Sequence, residues 1–81
     1  MYCVYILKSL KDGKYYIGST NNLESRLAYH NSGRQRSTRH RIPFQIEYSE
    51  NFSTKVEALK REKQIKSFKG GEAFKKLLGA V

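Results

Sequence analysis

Little in this chain can be oxidised, buried in a bilayer or gathered into a metal cage. It has one cysteine, one proline and no tryptophan. A single thiol, Cys3, excludes an intrachain disulfide, and a reducing, cytoplasmic setting suits such a chain. His30 and His40, separated by an arginine-rich stretch, do not supply the closely spaced Cys and His ligands of a zinc site. No apolar run approaches the roughly 20 residues needed to span a bilayer, so no membrane contact is expected. Residues 1–7 have neither a basic region nor a small-residue cleavage site and do not read as a signal peptide.

Acids are the other shortage. Seven Asp and Glu stand against sixteen Lys and Arg, a formal charge of +9 on 81 residues. Asp12 falls in a turn, Glu24 and Glu57 at helix starts, Glu50 and Glu72 near loop ends, and Glu47 on a strand. Hydrolysis by a pair of metals needs several convergent carboxylates, and this sequence groups none. Phosphodiester cleavage would therefore use one ion on one carboxylate, or none, with Tyr or His activating water. The positive excess predicts a polyanionic partner, because each neutralised phosphate releases counterions. The length allows a single domain over residues 1–81.

Residues 2–8 and 14–20 are rich in Tyr, Val and Ile and predict an antiparallel hairpin across Asp12-Gly13. A two-residue turn there makes Lys11 face Lys14. Side-chain alternation then puts Tyr5 and Tyr16 on one face with Gly18 beside them, and Val4, Ile6, Tyr15 and Ile17 on the other. Asn21 with Glu24 reads as a capping box opening a helix, with Leu23 and Leu27 as its apolar stripe and Gly33 as its stop. Arg26 and His30 lie one turn apart at the edge of that stripe. Residues 34–41 have no apolar period and read as a basic loop. A strand follows at Phe44–Tyr48, alternating apolar and polar. Thr54 and Glu57 then cap a helix over 55–68, Gly70-Gly71 ends it, and a last helix covers 72–78. The order β-β-α-β-α-α predicts an α+β fold, a three-stranded, mainly antiparallel sheet packed against helices.

The 55–68 helix holds an anomaly. At about 100° per residue, Glu62 falls about 240° from Val56, between Ala58 at about 200° and Leu59 at about 300°. A carboxylate inside an apolar arc must be paired, protonated or bound to a cation. Lys66, Arg26 and a metal ion are all open as its partner. Arg34, Arg36, Arg39 and Arg41 form a cationic loop, and Lys60, Arg61, Lys63, Lys66 and Lys69 a cationic helix flank. Both suit backbone phosphates and carry no base-reading motif. His40 reads as a phosphate contact or a solvent-facing residue.

Cys3-Val4-Tyr5, ten intervening residues and Tyr16-Ile17-Gly18 resemble the paired motif that names the GIY-YIG endonucleases. The resemblance continues through Gly18-Ser19-Thr20, Arg26 with His30 in an R-x-x-x-H arrangement, and Ala58-Leu59-Lys60-Arg61-Glu62, covering about residues 2–68. It is closest to small stand-alone bacterial members and to the nuclease domain of structure-specific junction endonucleases. It implies Glu62 as the ligand of one divalent ion, Mg²⁺ or Mn²⁺, and Arg26 as the contact to the scissile phosphate. It further implies that Tyr5 or Tyr16 takes a proton from water, its phenol acidified by cations, and that His30 supports the tyrosine or the phosphate. Gly18, lacking a side chain, would admit that phosphate. The implied partner is nucleic acid, DNA rather than RNA, cut by structure more than by sequence in repair or recombination. Relatives carry extra domains for specificity, which leaves room for a protein partner here. A binding module that has lost turnover is the competing expectation. Two departures stand out: Cys-Val-Tyr replaces Gly-Ile-Tyr, and no asparagine follows Asn51.

Overall fold

A computed structural model describes residues 1–79. Along the chain come β1 (Tyr2–Ser9), β2 (Tyr15–Thr20), α1 (Leu23–Asn31), a 3-10 turn (Arg39–Arg41), β3 (Phe44–Phe52), α2 (Lys55–Ser67) and α3 (Glu72–Leu77). The strands make one antiparallel sheet in the order β2-β1-β3. The α+β architecture and its element order are those expected from the pattern of the sequence.

β1 is central because both of its faces are apolar. Val4 and Ile6 pack with Ala58, Ile65 and Phe74 beneath α2 and α3. Tyr5 and Leu7 pack with Phe44 on the opposite face, closed by Leu23 and Leu27 of α1. A strand buried on both sides needs a layer on each, which is why this short chain places helices on both faces.

The hairpin differs from expectation in its turn. The amide of Ser9 donates to the Lys14 carbonyl at 2.9 Å, so the loop is the four residues Leu10-Lys11-Asp12-Gly13. The Ser9 hydroxyl accepts from the amides of Lys11 (3.2 Å) and Asp12 (3.1 Å), and Asp12 accepts from the Lys14 amide at 2.9 Å. Gly13 supplies the positive φ of +72° that closes it. The register moves by two residues, an even number, so each side chain keeps its expected face. Tyr5 now lies directly opposite Gly18.

β3 breaks simple alternation. The pairing slips between Ile6 opposite Tyr48 and Leu7 opposite Ile46, leaving Glu47 as the extra residue of a bulge. Phe44 therefore packs on the α1 face while Tyr48 packs on the α2 face. Glu50 accepts from Tyr48 and from Arg61 of α2, whose Nη2 stands 2.9 Å away, so Arg61 clamps β3 to α2.

One further correction concerns α1. The cap of α1 is Asn22, accepting from the Ser25 amide at 3.0 Å, one residue later than the expected Asn21. Asn31, at the end of α1, grips the backbone of Phe44 twice, accepting from its amide at 2.7 Å and donating to its carbonyl at 3.1 Å. This ties α1 to the start of β3 and carries the 3-10 turn between them.

Candidate active site

Tyr5 is almost wholly buried and its ring lies across β2 over Gly18. A Cβ at Gly18 would stand 2.6 Å from the Tyr5 hydroxyl and 2.7 Å from Cζ. The glycine is thus the floor that lets the phenol reach the outer strand. Its hydroxyl sits 3.3 Å from Nε2 of His30, and Nδ1 of His30 sits 3.1 Å from the hydroxyl of Thr38. The Tyr16 ring, half-buried, lies edge-on to His30 with centroids 4.7 Å apart.

Burial pushes the Tyr5 phenol above its ordinary range, with Tyr16 and Glu62 adding to the rise and the Arg26 guanidinium opposing it. Tyr5 is therefore held neutral, the reverse of an acidified phenol. Burial also lowers His30, and Arg26 lowers it further, so its imidazole is uncharged at neutral pH.

Glu62 arrives from the other side of the sheet. In α2 the buried residues are Ala58 and Ile65, whereas Val56 and Leu59 are exposed. The apolar arc is narrower than its sequence reading, and Glu62 stands on its border. One carboxylate oxygen accepts from the Ser19 hydroxyl at 2.7 Å, and the other pairs with Lys66 at 2.7 Å. Lys66 is thus the partner of the carboxylate among those left open, and Ser19 is a contact that no sequence pattern announced. Gly18 and Ser19 are neighbours on β2 and face opposite sides, so the phenol and the carboxylate lie against adjacent residues of this edge strand from opposite faces of the sheet.

Arg26, exposed on α1, lines both depressions beside this edge. One, of about 370 Å³, also includes Thr20, Asn22, Tyr29 and Gln35. The other, of about 250 Å³, includes Tyr2, Ser19 and Lys55. None of the ion pairs among the described residues engages Arg26.

The cationic residues divide into bound and free. Arg41 is held by Asp12 at 3.1 Å and lies over the Phe44 ring, and Arg61 is held by Glu50. These two serve the fold. Arg34, Arg36, Arg39 and His40 belong to the loop, and Lys60, Lys63 and Lys69 to α2 and its end. None of them takes part in an ion pair among the described residues.

A divalent ion fits this donor set in one respect and is limited in another. Among the described residues no three His, Cys, Asp or Glu side chains converge. A single carboxylate at a solvent-reached edge suits Mg²⁺, which keeps several waters and takes its other ligands from phosphate oxygens. Lys66, half exposed, already neutralises Glu62 and would have to swing aside. No helix among the described residues is long and apolar enough to cross a membrane.

Comparison with known proteins shows the family. The GIY-YIG catalytic domain matches residues 1–73. A UPF0213 protein of Staphylococcus haemolyticus is 44% identical over 73 residues, 89% of this chain and 88% of that one. One from Halobacterium salinarum is 40% identical over 67 residues, 82% of this chain and 86% of that one. The solution NMR structure of a UPF0213 protein from Bacillus halodurans superposes with a TM-score of 0.55 at 34% identity, covering 99% of this chain and 84% of that one. The chain belongs to the GIY-YIG family of nucleases, as a small member akin to the UPF0213 proteins.

Proposed function

We propose that this protein is an endonuclease that hydrolyses phosphodiester bonds in DNA, selecting structure rather than sequence, in repair or recombination. The observation that carries the reading is that Tyr5 and Glu62 contact adjacent residues of the edge strand β2, Gly18 and Ser19, with Arg26 in the groove that Ser19 also lines. The guanidinium of Arg26 binds the scissile phosphate and stabilises charge gathering on its oxygens. Glu62 would hold the single divalent ion, Mg²⁺ or Mn²⁺, which would supply Lewis-acid charge to the phosphate. Of the two phenols, Tyr16 has solvent access and takes the proton of the attacking water, while buried, neutral Tyr5 donates a hydrogen bond. Arg34, Arg36, Arg39, Lys60 and Lys63 hold flanking phosphates without reading bases, and selectivity for branched or flapped DNA then rests on shape or on a protein partner. Arg41 and Lys66, paired within the fold, contribute less.

The test is cleavage of labelled duplex, single-stranded and branched DNA with Mg²⁺, Mn²⁺ or EDTA. Glu62→Ala should lower the single-turnover rate by on the order of 10³-fold or more, since the metal contributes several kcal/mol, while binding survives. Equal cutting by Glu62→Ala and the parent would sink the reading. A binding module without turnover is favoured by one feature, the neutralisation of Glu62 by Lys66. Steeply salt-sensitive binding with no metal-dependent cutting would establish that alternative.

A further inference from the structure

Thr38 sits in the middle of the cationic loop yet is 1% exposed. Its backbone builds the turn that follows: its carbonyl accepts from the Arg41 amide at 2.9 Å and its amide donates to the Gln35 carbonyl at 3.2 Å. Its hydroxyl points inward to Nδ1 of His30 at 3.1 Å, and Nε2 of His30 faces the Tyr5 hydroxyl at 3.3 Å. Three polar groups, each at 1% exposure, thus stand in a row from the loop to the phenol.

An uncharged imidazole carries one N–H, so the row has two arrangements. In the first, Nδ1–H donates to Thr38 and Tyr5 donates to Nε2. The unspent proton is then that of the Thr38 hydroxyl, which has no other acceptor among the described residues. In the second, Thr38 donates to Nδ1 and Nε2–H donates to the Tyr5 oxygen. Every inner donor is then used, and the one unspent proton is that of Tyr5, at the end of the ring over Gly18. Thr38 and Tyr5 are equally buried, so burial does not choose between the two; the second is the one that leaves its free donor on the phenol over Gly18, where the nuclease reading brings the phosphate.

We infer that Thr38 is a positioning residue of this site: its hydroxyl fixes His30 as the Nε2–H tautomer, which orients Tyr5 with its proton free for a phosphate oxygen. The row of contacts stands on geometry alone, and the choice of tautomer rests on the nuclease reading. The loop that carries Arg39 and the phenol that meets the phosphate are thereby joined through two side chains.

Long-range ¹H–¹⁵N NMR of the His30 imidazole tests this in the parent protein, Thr38→Val and Thr38→Ser. The parent should show protonated Nε2, Thr38→Val should lose the single-tautomer signature, and Thr38→Ser should regain it. In single-turnover cleavage, Thr38→Val should be slower by on the order of 10²-fold with unchanged KM, the scale of one positioned proton-handling group, and Thr38→Ser should recover most of the rate. Protonated Nδ1 in the parent overturns the inference, even if Thr38→Val fails to fold. An unaltered tautomer and rate in a folded Thr38→Val also overturn it. Protonated Nε2 in a parent that cuts no DNA would uphold the hydrogen-bonded row and sink the nuclease reading alone.

Discussion

The two faces of the sheet are built from different materials. Beneath α2 and α3 the interior is aliphatic and aromatic, with Val4, Ile6, Ala58, Ile65 and Phe74 in one cluster. Beneath α1 the buried set includes Tyr5, His30 and Thr38, each with a polar atom that must find a partner. Apolar burial is non-directional and tolerates imprecision, whereas a buried polar row fixes geometry at the expense of stability. One face is held by apolar contact alone, and the other adds a polar row whose partners fix its geometry.

That division can be broken by substitution. Ile65→Ala should lower unfolding free energy by about 2–5 kcal/mol, read from the urea midpoint, while the cleavage rate of the protein that stays folded changes little. Gly18→Ala should do the reverse. The new Cβ would stand 2.6 Å from the Tyr5 hydroxyl, and displacing that ring should cost cleavage on the order of 10²-fold, with a stability loss of about 1–3 kcal/mol. A Gly18→Ala protein that unfolds before it slows would erase the distinction between the faces.

Acid sharpens the comparison. His30 has its pKa lowered below the ordinary 6.5 by folding, so the unfolded chain binds a proton that the folded chain refuses. The stability associated with the neutral ring is complete above about 6.5 and is lost as pH falls toward the folded value. Thermal scans between pH 7 and 5 should show Tm declining in the parent and a flatter profile in His30→Gln. An equal decline in both would assign the effect elsewhere. Asp12 and Glu50, whose pKa values are lowered chiefly by hydrogen bonds from the Lys14 amide and from Arg61, lose their contribution at lower pH. The smallest effect expected is that of Lys60→Ala with Lys63→Ala. Tm should be unchanged, and the log–log salt dependence of DNA binding should become shallower by up to about 0.9 for each phosphate no longer neutralised.

Strand faces are readable in the sequence because alternation has a period of two, so spacing alone groups Tyr5, Tyr16 and Gly18. Register is not readable, because the Ser9 hydroxyl and Asp12 carboxylate favour a four-residue loop that no pattern of apolar residues encodes. The β3 bulge is hidden for the same reason, since Phe44, Ile46 and Tyr48 look evenly spaced until a partner strand slips. Glu62 can be singled out because helical periodicity makes a misplaced charge visible. Thr38 and Asn31 cannot, because a hydroxyl among arginines and an amide at a helix end look like surface residues. Their roles exist only through partners 8 and 13 positions away.

With β2 outermost, one margin of the sheet has no further strand against it. Groups rooted in both layers reach that rim, Tyr5 from above and Glu62 from below. On the proposed reading, a protein too small to wrap a double helix would grip a single phosphate at this strand from two layers. Chemistry at such a rim would need no enclosing cavity and no closing lid, leaving the approach and departure of a long polymer unobstructed.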